Sequence, residues 1–178
     1  MGKVTLITGG ARSGKSAHAL RIAESYRAAR RFFLATAEPL DDEMAARIAR
    51  HRSDRANCGQ DFTTVEEPVN LSSALGDLAG RADLVILDCL TLWVSNLMRV
   101  YAVESEDTFL ADADLLARTI VAAPFVTIVV TDEVGSAIVP NNPTARRFRD
   151  LLGWTNQIIA KASTEVILMV AGYPVRVK

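Results

Sequence analysis

Residues Gly9-Gly10-Ala11-Arg12-Ser13-Gly14-Lys15-Ser16 fit the pattern G-x-x-x-x-G-K-[S/T], and the segments beside them give the pattern its meaning. Lys3-Val4-Thr5-Leu6-Ile7-Thr8 before it is apolar and β-branched, as a strand is. Ala17-His18-Ala19-Leu20-Arg21-Ile22-Ala23-Glu24 after it reads as helix. Strand, glycine-rich loop and helix together make a phosphate-binding loop; outside that setting the same residues are a turn joining two elements. The glycines let backbone N–H groups turn inward around a polyphosphate. The positive end of the following helix then faces that charge. Lys15 is expected at the β- and γ-phosphates, and the Ser16 hydroxyl on Mg²⁺. A chain built this way binds a nucleoside triphosphate.

The rest of the chain alternates in the same manner. Apolar runs of strand length fall at 4–8, 32–36, 84–88, 126–131 and 166–170, with 175–177 as a further candidate. Helical patterns fall at 16–30, 41–53, 71–79, 92–101, 108–122 and 143–162. Asp41-Asp42-Glu43 opens one helix with acids, and Arg47, Arg50 and Arg52 follow toward its end, matching the helix dipole. Asn142-Pro143 reads as an N-cap with proline in the first turn. Continuously apolar strands alternating with helices predict an α/β fold with a mainly parallel sheet covered on both faces.

In such sheets ligands bind beyond the carboxyl ends of the strands, so the residues after each apolar run are the candidates. After the second run come Ala35, Thr36 and Ala37, either an ordinary turn or small residues that let a ligand approach. The third run ends Leu84-Val85-Ile86-Leu87-Asp88, apolar residues capped by a carboxylate in the manner of a Walker B acid that holds Mg²⁺. The fourth runs into Asp132 and Glu133, which stand where a general base or a second Mg²⁺ partner would sit, or where an acid-bearing turn would cap the next segment. Arg47, His51 and Arg55 are spaced to share one helix face. That face is either a solvated basic stripe or a histidine held neutral by neighbouring cations and able to act as a nucleophile.

Composition closes off other classes. A chain of 178 residues with 49% hydrophobic content is expected to form one domain, residues 1–178. The net charge of −1 shows no basic surplus and no basic-aromatic interleaving, against a nucleic-acid partner. Cys58 and Cys89 have no metal-binding spacing and read as free thiols. The longest apolar stretch, Leu84 to Met98, contains Asp88, Ser95 and Asn96 and is too short and polar to span a bilayer. With a strand at the start rather than a secretory leader, the expected place is the cytoplasm.

Together these residues resemble one family. The resemblance rests on the loop at Thr8–Ser16, Ala35-Thr36-Ala37, Asp41-Asp42-Glu43-Met44 with Arg47-Ile48 and His51, and Glu66-Glu67-Pro68. It continues through Asp88-Cys89-Leu90-Thr91-Leu92-Trp93-Val94-Ser95-Asn96-Leu97, Glu133-Val134-Gly135 with Ile138-Val139-Pro140, Arg147-Phe148-Arg149-Asp150 with Gly153, Asn156-Gln157, and Gly172-Tyr173-Pro174. This order and spacing resemble the bifunctional adenosylcobinamide kinase/adenosylcobinamide-phosphate guanylyltransferase family of cobalamin biosynthesis, over nearly the whole chain.

The resemblance implies a P-loop, RecA-like three-layer fold and a homotrimer. It implies that ATP or GTP phosphorylates the hydroxyl on the aminopropanol arm of adenosylcobinamide. GTP then guanylylates a histidine, which falls on His51, and GMP passes to adenosylcobinamide phosphate. Its catalytic positions fall on His51 and Lys15. Its nucleotide contacts fall on Gly9, Gly10, Ala11, Arg12, Ser13, Gly14, Lys15, Ser16, Ala35, Thr36, Ala37, Arg52, Ser53, Asp54, Arg55, Glu66 and Asp88, with Ser16 and Asp88 on Mg²⁺. The narrower alternative is a P-loop small-molecule kinase in which His51 is idle. The chain departs from the family at Phe62, usually Trp, at Asp132, usually Asn, and at Ala137, usually Gly.

Overall fold

The computed structural model of the protein describes residues 2–56, 61–101 and 105–178, without the side chains of Arg47, His51, Asp54, Arg55 and Ala56. Its strands are β1 Val4–Gly9, β2 Arg31–Ala35, β3 Phe62–Glu66, β4 Leu84–Asp88, β5 Val126–Val130, β6 Glu165–Val170 and β7 Tyr173–Arg176. The helices are α1 Lys15–Glu24, α2 Asp42–Ala56, α3 Leu71–Asp77, α4 Leu90–Val100, α5 Glu106–Ala122 and α6 Pro143–Ala162. The sheet runs β3-β2-β4-β5-β1-β6-β7. Every neighbouring pair is parallel except β6 and β7.

Alternation along the central strands divides the core into two layers. Ile7, Phe33, Ile86, Ile128, Val130 and Met169 turn to one face, where they meet Ala19 and Ala23 of α1. Leu6, Leu34, Val85, Leu87 and Val129 turn to the other, under α3, α4, α5 and α6. The α6 start is as expected: Asn142 Oδ1 accepts from the amides of Thr144 at 2.8 Å and Ala145 at 3.4 Å.

Several boundaries differ from the sequence expectation. Strand β3 has no apolar run, because as an edge strand it pairs only with β2 and leaves Thr63, Thr64 and Glu66 exposed. Helix α1 ends at Glu24 rather than near Arg30. The Ser25 hydroxyl donates to Ile22 O at 2.7 Å, and the Arg30 amide is taken by Asp83 at 2.9 Å, away from any helix. Helix α4 starts two residues earlier than 92, directly after Cys89.

Asp83 ties the chain before β2 to the chain before β4. It accepts from Arg30 Nη2 at 2.6 Å and Nε at 3.2 Å, and from the Ala29 amide at 3.2 Å. The Arg30 guanidinium, then its amide, hold this carboxyl down at about 2, below the usual 3.8. A depressed carboxyl stabilises the fold above its unfolded value and loses that contribution as pH falls through the folded one. Wild type is therefore expected to exceed Asp83→Asn by a constant margin above pH ~4, and the margin to vanish between pH ~4 and ~2. Urea midpoints measured across that range check it.

Among the described residues no helix is long and apolar enough to cross a membrane. Cys89 is a free thiol, while Cys58 lies outside the described residues.

Candidate functional site

The carboxyl ends of β1, β2, β4 and β5 converge on the loop between β1 and α1. Gly9 holds φ +148°, and a Cβ there would stand 2.6 Å from the Met169 carbonyl. Gly14 caps α1 at φ 93°. Both positions need glycine, because β6 and the loop's own turn leave no room or conformation for another residue. Ser13 is buried, and its Oγ has no hydrogen-bond partner among the described residues. Gly10 lies with open space beside it, and Ala11 and Arg12 are exposed, Arg12 at φ 57°.

Two carboxylates divide the loop's polar side chains between them. Ser16 Oγ donates to Asp88 Oδ2 at 2.8 Å, reaching past the end of β5 to β4. Lys15 is buried; its Nζ donates to Gly10 O at 2.7 Å and pairs with Asp132 Oδ1 at 2.5 Å. A hydroxyl beside a carboxylate is a hard-oxygen pair of the kind that holds Mg²⁺, whose shell is completed by water and substrate phosphates rather than by an all-protein cage. Among the described residues no three His, Cys, Asp or Glu side chains are grouped to hold a metal alone. The donors at Ser16 and Asp88 thus fit a phosphate-bound Mg²⁺.

Asp88 is held in place by the end of β2. The Thr36 amide donates to Asp88 O at 3.3 Å. Thr36 Oγ1 donates to Cys89 O at 2.8 Å and accepts from the Cys89 amide at 2.9 Å. Thr36 is fully buried, and Asn96 Nδ2 donates to its carbonyl at 2.8 Å. The Thr36 side chain is therefore committed to the protein, and only Ala35 and Ala37 of that trio are half-buried. Burial first, then the Asp88 charge, pushes the Cys89 thiol up to about 12, so it stays protonated at neutral pH.

Asp132 is anchored as firmly. Its amide donates to Thr91 Oγ1 at 2.8 Å, and its carbonyl accepts from Asn156 Nδ2 at 3.0 Å. Asn156 is in turn fixed by the Thr131 hydroxyl at 2.7 Å. Glu133 turns away: it is exposed, and its Oε1 accepts from the Gly135 amide at 2.6 Å. The supporting residues Thr91, Asn96 and Asn156 carry no local signal of their role, since each acts on a backbone group far along the chain.

At the edge of the site Arg52 of α2 pairs with Glu66 at the end of β3, and both are more than half exposed. They border a cavity of about 180 Å³ with Ala37, Pro39, Ala45, Ile48 and Ala49. Ser53 is exposed on the same helix. His51, Asp54 and Arg55 fall within α2, but their side chains lie outside the described residues.

The chain is similar to known proteins over nearly its whole length. The family described as cobinamide kinase / cobinamide phosphate guanyltransferase matches residues 5–177. The bifunctional adenosylcobalamin biosynthesis protein CobU of Escherichia coli (strain K12) is 38% identical over 184 residues, covering 97% of this chain and 98% of its own. CobP of Pseudomonas aeruginosa, described in the same words, is 38% identical over 174 residues, covering 97% and 96%. Among solved structures, a prototypical ATPase of the type III secretion system of pathogenic bacteria superposes with a TM-score of 0.60 at 13% identity, over 96% of this chain and 51% of that one. A Pyrococcus horikoshii OT3 protein, PH0250, superposes at 0.53 with 7% identity, over 99% and 86%. At these identities the structures speak for the fold alone, a P-loop, RecA-like arrangement around a mainly parallel sheet. With a match that runs from the first strand to the last, this chain belongs to the cobinamide kinase / cobinamide phosphate guanyltransferase family.

Proposed function

We propose that this chain is a bifunctional transferase that phosphorylates adenosylcobinamide and then guanylylates the product through His51. The observation that carries the reading is the family match over residues 5–177, beside a bifunctional relative matched over 98% of its own length. In the first reaction the acceptor hydroxyl oxygen bonds to the γ-phosphorus, the bond from that phosphorus to the β-phosphate oxygen breaks, and the hydroxyl proton is lost. Lys15 and the loop amides at 9–14 hold the charge that develops on the phosphoryl oxygens. Ser16 and Asp88 are the residues that would hold Mg²⁺, which supplies charge neutralisation at the phosphates when bound. ATP and GTP both fit this role.

In the second reaction an imidazole nitrogen of His51 bonds to the α-phosphorus of GTP and pyrophosphate leaves. An oxygen of adenosylcobinamide phosphate then takes the GMP, the P–N bond breaks, and His51 is restored as adenosyl-GDP-cobinamide forms. A covalent histidine intermediate splits one difficult transfer into two easier ones. Arg52, Ser53, Asp54, Arg55 and Glu66 stand with α2 and β3 on the nucleotide side of this reading, as do Ala35, Thr36 and Ala37. The same reading makes residues 1–178 one catalytic domain, assembled as a homotrimer in the cytoplasm.

The test is product mass after incubation with GTP, Mg²⁺ and adenosylcobinamide. Both adenosylcobinamide phosphate and adenosyl-GDP-cobinamide are expected. The phosphate alone would reduce the protein to a small-molecule kinase, and neither product would refute the assignment.

A further inference from the structure

We propose that Asp132 is the resting counter-ion of Lys15 and that a nucleotide must displace it, so that this carboxylate sets how tightly the site holds di- and triphosphates. The proposal rests on the phosphate loop being the nucleotide site and adds a residue that tunes it.

The ion pair is short and sheltered. Lys15 Nζ stands 2.5 Å from Asp132 Oδ1, with the lysine side chain only 10% exposed and the aspartate side chain 26%. The other partner of Nζ is the Gly10 carbonyl, which belongs to the loop itself. Asp132 is the acid that neutralises the loop's cation before any phosphate arrives.

The Asp132 backbone is also held where it stands. Thr91 of α4 accepts from its amide, and Asn156 of α6 donates to its carbonyl. The next residue's amide, that of Glu133, donates to Gly9 O at 3.0 Å, at the mouth of the loop. Three elements therefore fix the Asp132 backbone against the phosphate loop. It cannot withdraw when nucleotide enters without breaking these bonds.

Two costs to binding follow. A phosphate oxygen must win Lys15 from a carboxylate already in contact with it. Having done so, that oxygen lies close to the displaced Asp132 carboxylate, because the Asp132 backbone stays fixed beside the loop. Like charges so placed repel, and partial burial leaves the repulsion weakly screened by salt. The cost falls on the phosphates that Lys15 serves, the β and γ, and spares the α-phosphate. Nucleotide affinity is held below what the loop alone would give, which favours release of the product diphosphate.

Calorimetric titration of the full chain with GMP, GDP and GTP, each with Mg²⁺ at one ionic strength, tests this on His51→Ala, which forms no covalent adduct, and on the same chain carrying Asp132→Asn or Asp132→Ala in addition. The asparagine keeps the size and an oxygen acceptor for Lys15 while removing the charge. Expected is at least about a tenfold lower Kd for GTP and GDP in both variants, with GMP changed by less than about twofold; a tenfold change corresponds to ~1.4 kcal/mol. A merely structural role would move all three nucleotides together, and that result overturns the proposal. So does unchanged or weaker GTP binding in both variants. Unchanged GTP affinity with a large loss of phosphorylation rate would make Asp132 the proton acceptor instead. Failure of wild type and of His51→Ala alone to bind GTP would remove the nucleotide-site reading, and it is seen without any Asp132 variant.

Discussion

Incubated with GTP and Mg²⁺, the wild-type chain is expected to gain the mass of one GMP, and His51→Ala to gain none. Transfer of GMP to adenosylcobinamide phosphate should fall at least about a thousandfold in the variant, the scale of losing a covalent nucleophile. Phosphorylation of adenosylcobinamide should persist. The substitution is a clean one, because α2 carries little of the core. Among its described side chains none is buried, and only Met44 and Ile48 are half-buried. The helix start is capped independently, by Asp41 Oδ1 accepting from the Met44 amide at 2.7 Å. Alanine also favours helix more than histidine does. The chain has two histidines, so His18→Ala is the natural control. His18 lies on α1, and burial, then the Arg21 charge, lowers its pKa. Retention of the adduct in His18→Ala and its loss in His51→Ala assigns the nucleophile. An adduct on both variants would move it elsewhere, and none on wild type would leave the kinase reaction alone.

What the chain reveals before folding depends on whether a signal is local. The buried strands announce themselves because burial on both faces demands unbroken apolar runs, as at Leu84–Asp88, which forms β4 with those bounds. The α6 start is legible because a cap and a first-turn proline are neighbours in sequence. Strand β3 is not, because an edge strand needs hydrogen bonds from one neighbour only and no continuous apolar face. The end of α1 is hidden because the chain beyond it, at Ala29 and Arg30, is held by Asp83, more than fifty residues away.

The site divides in the same way. The phosphate loop is a local string, so the positions of Lys15 and Ser16 follow from it. The partners of those side chains come from β4 and β5, and only the rule that strand ends converge suggests Asp88 and Asp132. Sequence reading offers Asp132 as a base or metal partner. The structure adds its contact with Lys15, which no spacing discloses across so long a separation. Thr36, read among the nucleotide contacts, also gives its hydroxyl to the Cys89 backbone and fixes the end of β4. That use is invisible until β2 and β4 are known to be neighbours in the sheet.

Lys15→Ala is expected to slow phosphorylation of adenosylcobinamide by roughly 10²–10³-fold, the cost of removing one charge-stabilising donor from a sheltered site. It should slow guanylylation of His51 as well, because the pyrophosphate leaving in that step carries the β- and γ-phosphates that Lys15 serves. The double effect separates Lys15 from His51, whose loss should stop one reaction and spare the other. Removing Lys15 also leaves Asp132 facing the loop without its cation, with its backbone still held by Thr91 and Asn156. The bare carboxylate then repels the incoming phosphates, so GTP affinity should fall along with the rates. Adding Asp132→Asn to Lys15→Ala should recover part of that affinity, since it removes the repulsion, but not the rate, since it supplies no cation. Steady-state phosphorylation, single-turnover adduct formation and GTP titration on the single and double variants read the three effects separately. Full phosphorylation by Lys15→Ala would mean that the reacting phosphate sits elsewhere than on this loop.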